Sequence, residues 1–291
     1  MSIEKVKFKI QGHEKFSLRE GWLNKGIIAV SENPRIFIEK EPPAPDVLGI
    51  GSNMVKSLRY WLKAFGLIEE KGTSGAVLTE LGKKILECDK YFEKDFTLWI
   101  LHSYIAKNKE FATVWYLFFN KCEAYELSKD QIYQILLREL VQYTGGHNFS
   151  DKSLHVDVDV LLNMYSKEPG TEDPEGKNIS PFVRLGLVKK NEGLYTKVHP
   201  DRRKISEWVI LFELALLMKD KDQISIENVL NSNLGIINIY QISNVQANDY
   251  LDRLDAMGYI HVNRTAGLDI IYRMTPFTYL TVMKDYFERY R

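Results

Sequence analysis

The chain of 291 residues is poor in several features that define whole classes of protein. Its two cysteines, Cys88 and Cys122, lie far apart with no neighbours at metal-ligand spacing, so neither a disulfide framework nor a zinc site is indicated, and a reducing compartment is expected. Net charge is absent: 39 basic residues cancel 39 acidic ones, so any nucleic-acid site has to be a local patch. Long apolar runs are absent too. Residues 1–11 alternate lysine with apolar residues and lack the apolar core of a secretion signal. The most apolar helix-like run, Trp208 to Met218, is interrupted by Glu213 and is too short to span a bilayer. No membrane association and a cytoplasmic location are the expectations. A nucleotide-binding phosphate loop is also excluded, because the stretch ending in Lys56-Ser57 has Val55 where that motif needs glycine.

What remains is enough for a full core. Hydrophobic residues make up 45% and charged residues 27%, and the length fits two or three domains of about 100 residues each. One phrase recurs three times: an amphipathic helix, a Gly-apolar step, then a polar hairpin returning to an apolar strand. The first copy has a helix over 53–67 and a turn at 71–75; the second has a helix over 179–187 and a turn at 190–193; the third has a helix over 244–257 and a turn at 263–267. Glycine ends such a helix and two short strands make a wing. The expected fold is mainly α with small β wings, as tandem winged-helix-like units joined by a helical middle region. The expected divisions are 1–90, 91–204 and 205–291.

Further helices are expected over 21–37, 206–218 and 225–240, the last opened by Ser225 and Glu227. The aromatic stretch 96–125 reads as helical core, and 128–144 as an amphipathic helix with Ile132, Ile135, Leu136 and Leu140 on one face.

Two segments carry local positive charge. Between Gly49 and Phe65 there are three basic residues and no acidic one. Met54, Leu58, Trp61, Leu62 and Phe65 define a buried face, leaving Lys56, Arg59, Tyr60 and Lys63 opposite, with Ser52 and Asn53 at the helix start. Such a helix suits a DNA groove: Asn and Arg read base edges, while Lys, Ser and the helix N-terminus hold phosphates, with Tyr60 as a backbone contact. The other segment, 177–204, has eight basic residues against two acidic ones, and its start, through Lys177, Asn178 and Ser180, echoes Ser52 and Asn53. Asn178, Ser180 and Arg184 are its candidate DNA contacts. The third unit instead carries Asp249, Asp252 and Asp255 against Arg253, which suits protein better than phosphate.

One arrangement would support chemistry. As a strand, 155–160 puts His155, Asp157 and Asp159 on one face, and Glu175 with Lys177 follows at acid-x-Lys spacing. Asp157 and Asp159 would then hold Mg²⁺ or Mn²⁺ beside Lys177, enough to cleave a phosphodiester. As a helix, the same segment parts the two carboxylates.

The runs Leu48-Gly49-Ile50-Gly51-Ser52-Asn53-Met54-Val55-Lys56-Ser57-Leu58-Arg59-Tyr60-Trp61-Leu62, Phe16-Ser17-Leu18-Arg19-Glu20-Gly21-Trp22-Leu23 and Gly176-Lys177-Asn178-Ile179-Ser180-Pro181-Phe182-Val183-Arg184-Leu185-Gly186-Leu187 resemble a bacterial family found with DNA phosphorothioation and phage-defence clusters. The resemblance covers nearly the whole chain. It implies the nicking component of the Ssp-type single-stranded phosphorothioation system, which acts on double-stranded DNA with a cysteine desulfurase, an ATPase and a sulfur-transfer protein. It carries over no catalytic residues. Three functions follow: a DNA-binding nickase, a non-enzymatic winged-helix regulator or adaptor on DNA, and a protein whose wings contact only other proteins.

Overall fold

The structure is a computed structural model that describes residues 6–167, 179–232, 234–267 and 269–290. It is mainly helical with three small antiparallel sheets. The first stretch runs α1 (Trp22–Glu32), α2 (Ala44–Leu48), α3 (Ser52–Ala64), β1 (Ile68–Glu70), β2 (Ala76–Leu78) and α4 (Glu80–Cys88). The middle has α5 (Asp95–Lys107), α6 (Thr113–Lys121), β3 (Leu127–Ser128), α7 (Lys129–Thr144), α8 (Asp151–Ser166), β4 (Val188–Asn191) and β5 (Leu194–Lys197). The last has α9 (Glu207–Leu217), β6 (Gln223–Ser225), α10 (Ile226–Leu230), α11 (Ile236–Tyr240), α12 (Asn244–Ala256), β7 (Ile260–Asn263), β8 (Ile270–Arg273) and α13 (Tyr279–Arg289).

The repeated phrase has a common physical origin. Gly66 follows α3 at φ +67°, with the Leu67 N–H donating to the Leu62 carbonyl and the Gly66 N–H to Lys63. Gly258 follows α12 at φ +78° with the same two bonds, from Tyr259 to Leu254 and from Gly258 to Asp255. Both are left-handed helix terminations that turn the chain into a hairpin, β1–β2 or β7–β8. In the second copy the expected helix is only a 3-10 turn, Pro181–Leu185, because Ser180 caps it at one end and Gly186 at φ +67° stops it at the other. Two of the hairpins gain a third strand, giving the orders β3-β5-β4 and β6-β8-β7.

Other boundaries move for local reasons. The first helix stops at Glu32, since Asn33 precedes Pro34 and is extended. The aromatic stretch breaks at 108–112, where the Asn108 amide donates to the Ala64 carbonyl and its oxygen accepts from the Phe111 N–H. The expected helix over 225–240 becomes β6, α10 and α11, broken before Gly235, where a Cβ would strike the Leu230 carbonyl. The segment expected as a strand at 155–160 lies inside α8, which starts at a Ser150 cap on the Ser153 N–H.

Trp61, Trp99, Trp115 and Trp208 are fully buried in one hydrophobic cluster that runs through all three stretches, and α13 packs on both α9 and α4. Among the described residues no helix is long and apolar enough to cross a membrane. Gly82 brings α4 against the Leu67 carbonyl so closely that a Cβ would collide with the backbone. Gly82→Ala is expected to cost about 1–3 kcal/mol by overpacking, read as a lower urea midpoint. An unchanged midpoint would mean that α4 does not sit on Leu67 in this way.

Candidate nucleic-acid interface

Helix α3 buries Leu58, Trp61 and Leu62 completely, with Phe65 just beyond it. Ser52, Lys56, Arg59 and Lys63 recur at i, i+4, i+7 and i+11, and this spacing forms one polar stripe. The stripe starts at an N-terminus whose preceding residue, Gly51, provides no side-chain cap, so the first N–H groups remain open to a ligand. Ser52, Asn53 and Lys56 are exposed, and Lys56 Nζ lies 3.2 Å from Asn53 Oδ1. Further along, Arg59 Nε and Lys63 Nζ each lie 2.6 Å from a different oxygen of Glu70, at the end of β1. Arg59 keeps 39% and Lys63 27% of its side chain exposed, so both are at the surface. Burial disfavours an ionised Glu70, but hydrogen bonds from Lys63 and Arg59 outweigh it and hold the carboxyl below its ordinary pKa.

Tyr60 does not belong to this stripe. It is 5% exposed, and its hydroxyl donates to the Phe111 carbonyl at 3.1 Å. Burial, with Asp157 nearby, drives its pKa well up. Tyr60 is therefore a core side chain, and the expected backbone contact is corrected: its aromatic ring packs inward where its polar atom alone suggested surface.

The groove beside the stripe has a volume of about 260 Å³ and includes a residue that sequence reasoning missed, Lys9. The opening segment is pinned across the middle helices, with the Lys9 N–H on Thr113 Oγ1 at 3.0 Å and the Gln11 N–H on Asp157 Oδ1 at 2.8 Å. The only hint in the sequence was the alternation Lys7-Phe8-Lys9-Ile10, which gives lysine one side of an extended segment.

In the second basic segment Lys189, Lys190, Arg202, Arg203 and Lys204 are exposed, but the described candidate contacts are partly or wholly withdrawn. Ser180 is 3% exposed and caps the Phe182 N–H, so it is withdrawn from any ligand. Arg184 is half tied down: a guanidinium N–H donates to the Phe92 carbonyl at 2.9 Å, and Asp95 lies 3.7 Å from its Nε. Lys197 is half-buried and donates to the carbonyls of Phe118, Phe119 and Cys122 at the end of α6, with burial of its ammonium pulling its pKa down to about 8. Lys204 Nζ donates to the Arg184 carbonyl, and Arg203 pairs with Asp201. Lys177 and Asn178 lie outside the described residues.

The acidic pair is parted, as a helix requires. Asp157 is 2% exposed, and its Oδ1 lies 2.7 Å from Nε2 of the fully buried His13. Burial raises the Asp157 pKa, while the hydrogen bond from His13 opposes that shift. Asp159 faces solvent and meets Lys129 at 2.9 Å. Two residues apart on α8, they point about 160° away from each other round the helix axis, which corrects the expected one-face arrangement. Glu175 lies outside the described residues. Among those described, no three or more His, Cys, Asp or Glu are grouped so as to hold a metal ion.

Comparison with curated proteins gives no match. The chain does share its fold with two crystal structures of SspB. One is magnesium ion-bound, with a TM-score of 0.82; the other has a TM-score of 0.79. Each is 22% identical, with 97% of this chain and 87% of the SspB chain covered. The likeness therefore extends across the three stretches that hold the stripe, the buried Asp157 and the acidic α12. At the level of sequence a family model spans residues 10–287, and the chain belongs to the family described as "Protein of unknown function (DUF4007)".

Proposed function

We propose that this chain is the DNA-binding component of a bacterial DNA phosphorothioation system of the Ssp type, acting in phage defence and located in the cytoplasm. The observation that carries the reading is the stripe of α3: an N-terminus open at Ser52 and Asn53, continuing through exposed Lys56 to Arg59 and Lys63. Helix-terminal N–H groups, the lysines and Arg59 hold phosphate, while Asn53 is the side chain able to reach a base edge. The shared fold with SspB supports membership of such a system. In this reading 1–90, 91–204 and 205–291 are tandem winged-helix-like units with a helical middle. The acidic face of α12, with Asp249 and Asp252 exposed, meets proteins of the system: cysteine desulfurase, ATPase or sulfur-transfer partner.

Within this reading a non-catalytic adaptor is favoured over a nickase by one observation, the separation of Asp157 from Asp159. Supercoiled plasmid with and without Mg²⁺ or Mn²⁺ tests it. No open circle is expected, and strand nicking by the pure protein would restore the enzymatic reading with residues other than this pair.

Binding itself has a quantitative test. Lys56→Ala is expected to weaken duplex affinity about 3–10-fold near 0.1 M salt and to flatten the slope of log K against log salt by about 0.9. The loss should be similar for unrelated duplex sequences, because a phosphate contact carries no sequence information. Fluorescence anisotropy with a short labelled duplex reads both quantities. If Lys56→Ala and Asn53→Ala both left affinity and slope unchanged, the α3 stripe would have no part in DNA binding.

A further inference from the structure

The groove beside α3 is lined by four cations, Lys9, Lys56, Arg59 and Lys63, against two carboxylates, Glu14 and Glu70, so it holds more positive charge than its own acids neutralise. Lys9 Nζ and Lys63 Nζ both lie over the ring of Phe111, 4.3 and 4.7 Å from its centroid, so two ammonium groups share one aromatic ring. Arg59 and Lys63 converge on the two oxygens of Glu70. The Lys9 ammonium is pulled below its ordinary pKa by partial burial and by Lys63 and Arg59, with Glu70 acting in the opposite sense. Lys9, Arg59 and Lys63 thus surround one carboxylate, and like charges brought together in this way favour a further anion. The positions are rigidly held: the Lys9 and Gln11 backbones are hydrogen-bonded to α6 and α8, and Gly12 lies so close to the Tyr60 ring that a Cβ would collide with it. Glu70, by contrast, stands at the end of a three-residue strand, beside the hairpin turn.

We propose that Glu70 is an internal stand-in for phosphate: its carboxylate holds Arg59 and Lys63 in place and gives way to a phosphate group, which Lys9 then completes as a third cation. A carboxylate and two oxygens of a phosphate present the same acceptor geometry to an arginine and lysine pair, which makes the exchange chemically even. The proposal rests on the DNA-binding reading for the identity of its ligand, a phosphodiester of duplex DNA. The same chemistry would serve a free phosphate.

The test compares wild type, Glu70→Gln and Lys9→Met on a short duplex by anisotropy and on inorganic phosphate by calorimetry, with urea melts for each. Glu70→Gln is expected to tighten duplex binding about 3–10-fold near 0.1 M salt and to steepen the salt slope, whereas Lys9→Met weakens binding by a similar factor and flattens the slope by about 0.9. If no variant binds duplex but inorganic phosphate binds more tightly to Glu70→Gln and less tightly to Lys9→Met, the DNA reading fails and the phosphate site stands. If wild type binds duplex and neither substitution changes it, or Glu70→Gln only destabilises the fold and weakens binding, Glu70 is a hairpin brace and the proposal is overturned while the DNA reading survives. Absence of both duplex and phosphate binding overturns both.

Discussion

Asp157→Ala is expected to lose about 2–4 kcal/mol of folding stability, since each donor left without a partner costs about 1–3 kcal/mol. The reason is what the substitution leaves behind. Asp157 Oδ1 accepts from both His13 Nε2 and the Gln11 N–H, and His13 is fully buried, stacked on Trp61 at a centroid distance of 5.6 Å. With the carboxylate gone, an imidazole and a backbone N–H lose their partner, and the opening segment is no longer fastened to α8. Asp157→Asn retains one acceptor and should cost less. Asp159→Ala should change stability by no more than about 0.5 kcal/mol, since its pair with Lys129 is about half exposed on both sides. Urea denaturation of the three variants gives the comparison. Equal and small losses at 157 and 159 would mean that Asp157 does not fasten His13 and the opening segment to α8.

The contrast between these two aspartates marks where sequence reading stops. The alternation His155-Val156-Asp157-Val158-Asp159-Val160 has the period of a strand, yet Leu154, Val158, Leu161, Leu162 and Tyr165 supply a helical buried face once the window is widened. The hairpin phrases were legible because Gly66 and Gly258 punctuate strongly amphipathic helices, and the chemistry of a helix end is local. Strands β3 and β6 were not, since two or three residues carry no periodicity and their pairing is decided by distant partners. In the interface, Lys56, Arg59 and Lys63 follow from one helix face. Lys9 does not, because it reaches Lys63 only through contacts of the opening segment with α6 and α8. Tyr60 and Ser180 misled for a common reason: each is polar by type but spends its polar atom on a backbone group inside the protein.

Acidification should destabilise this protein through His102. Its ring is fully buried between α5, α8 and α11, where Nε2 meets the Ile239 carbonyl at 2.7 Å and Nδ1 meets the Tyr165 hydroxyl at 2.8 Å. A carbonyl can only accept, so Nε2 carries the hydrogen and Nδ1 accepts from Tyr165. A second ring proton would face the tyrosine oxygen in place of its O–H, and burial brings the His102 pKa down from 6.5 to about 4. Above pH 6.5 His102 is neutral in folded and unfolded chains and contributes no pH dependence. Between 6.5 and about 4 the unfolded chain takes up a proton that the folded chain refuses, so stability falls as pH falls; below about 4 both forms are charged. The full loss is about 3 kcal/mol, from a gap of about 2.5 pH units at about 1.4 kcal/mol each. Glu213, Lys107 and Lys197 also act on this ring, and other groups titrate in the same window, so the clean measurement is a difference. His102→Gln keeps an N–H for Ile239 and an oxygen for Tyr165. Its stability relative to wild type should therefore improve by about 3 kcal/mol between pH 7 and pH 4. A difference that stays flat across that range would mean that His102 accepts its second proton inside the folded protein, and that the packing of α5 against α11 opens to water.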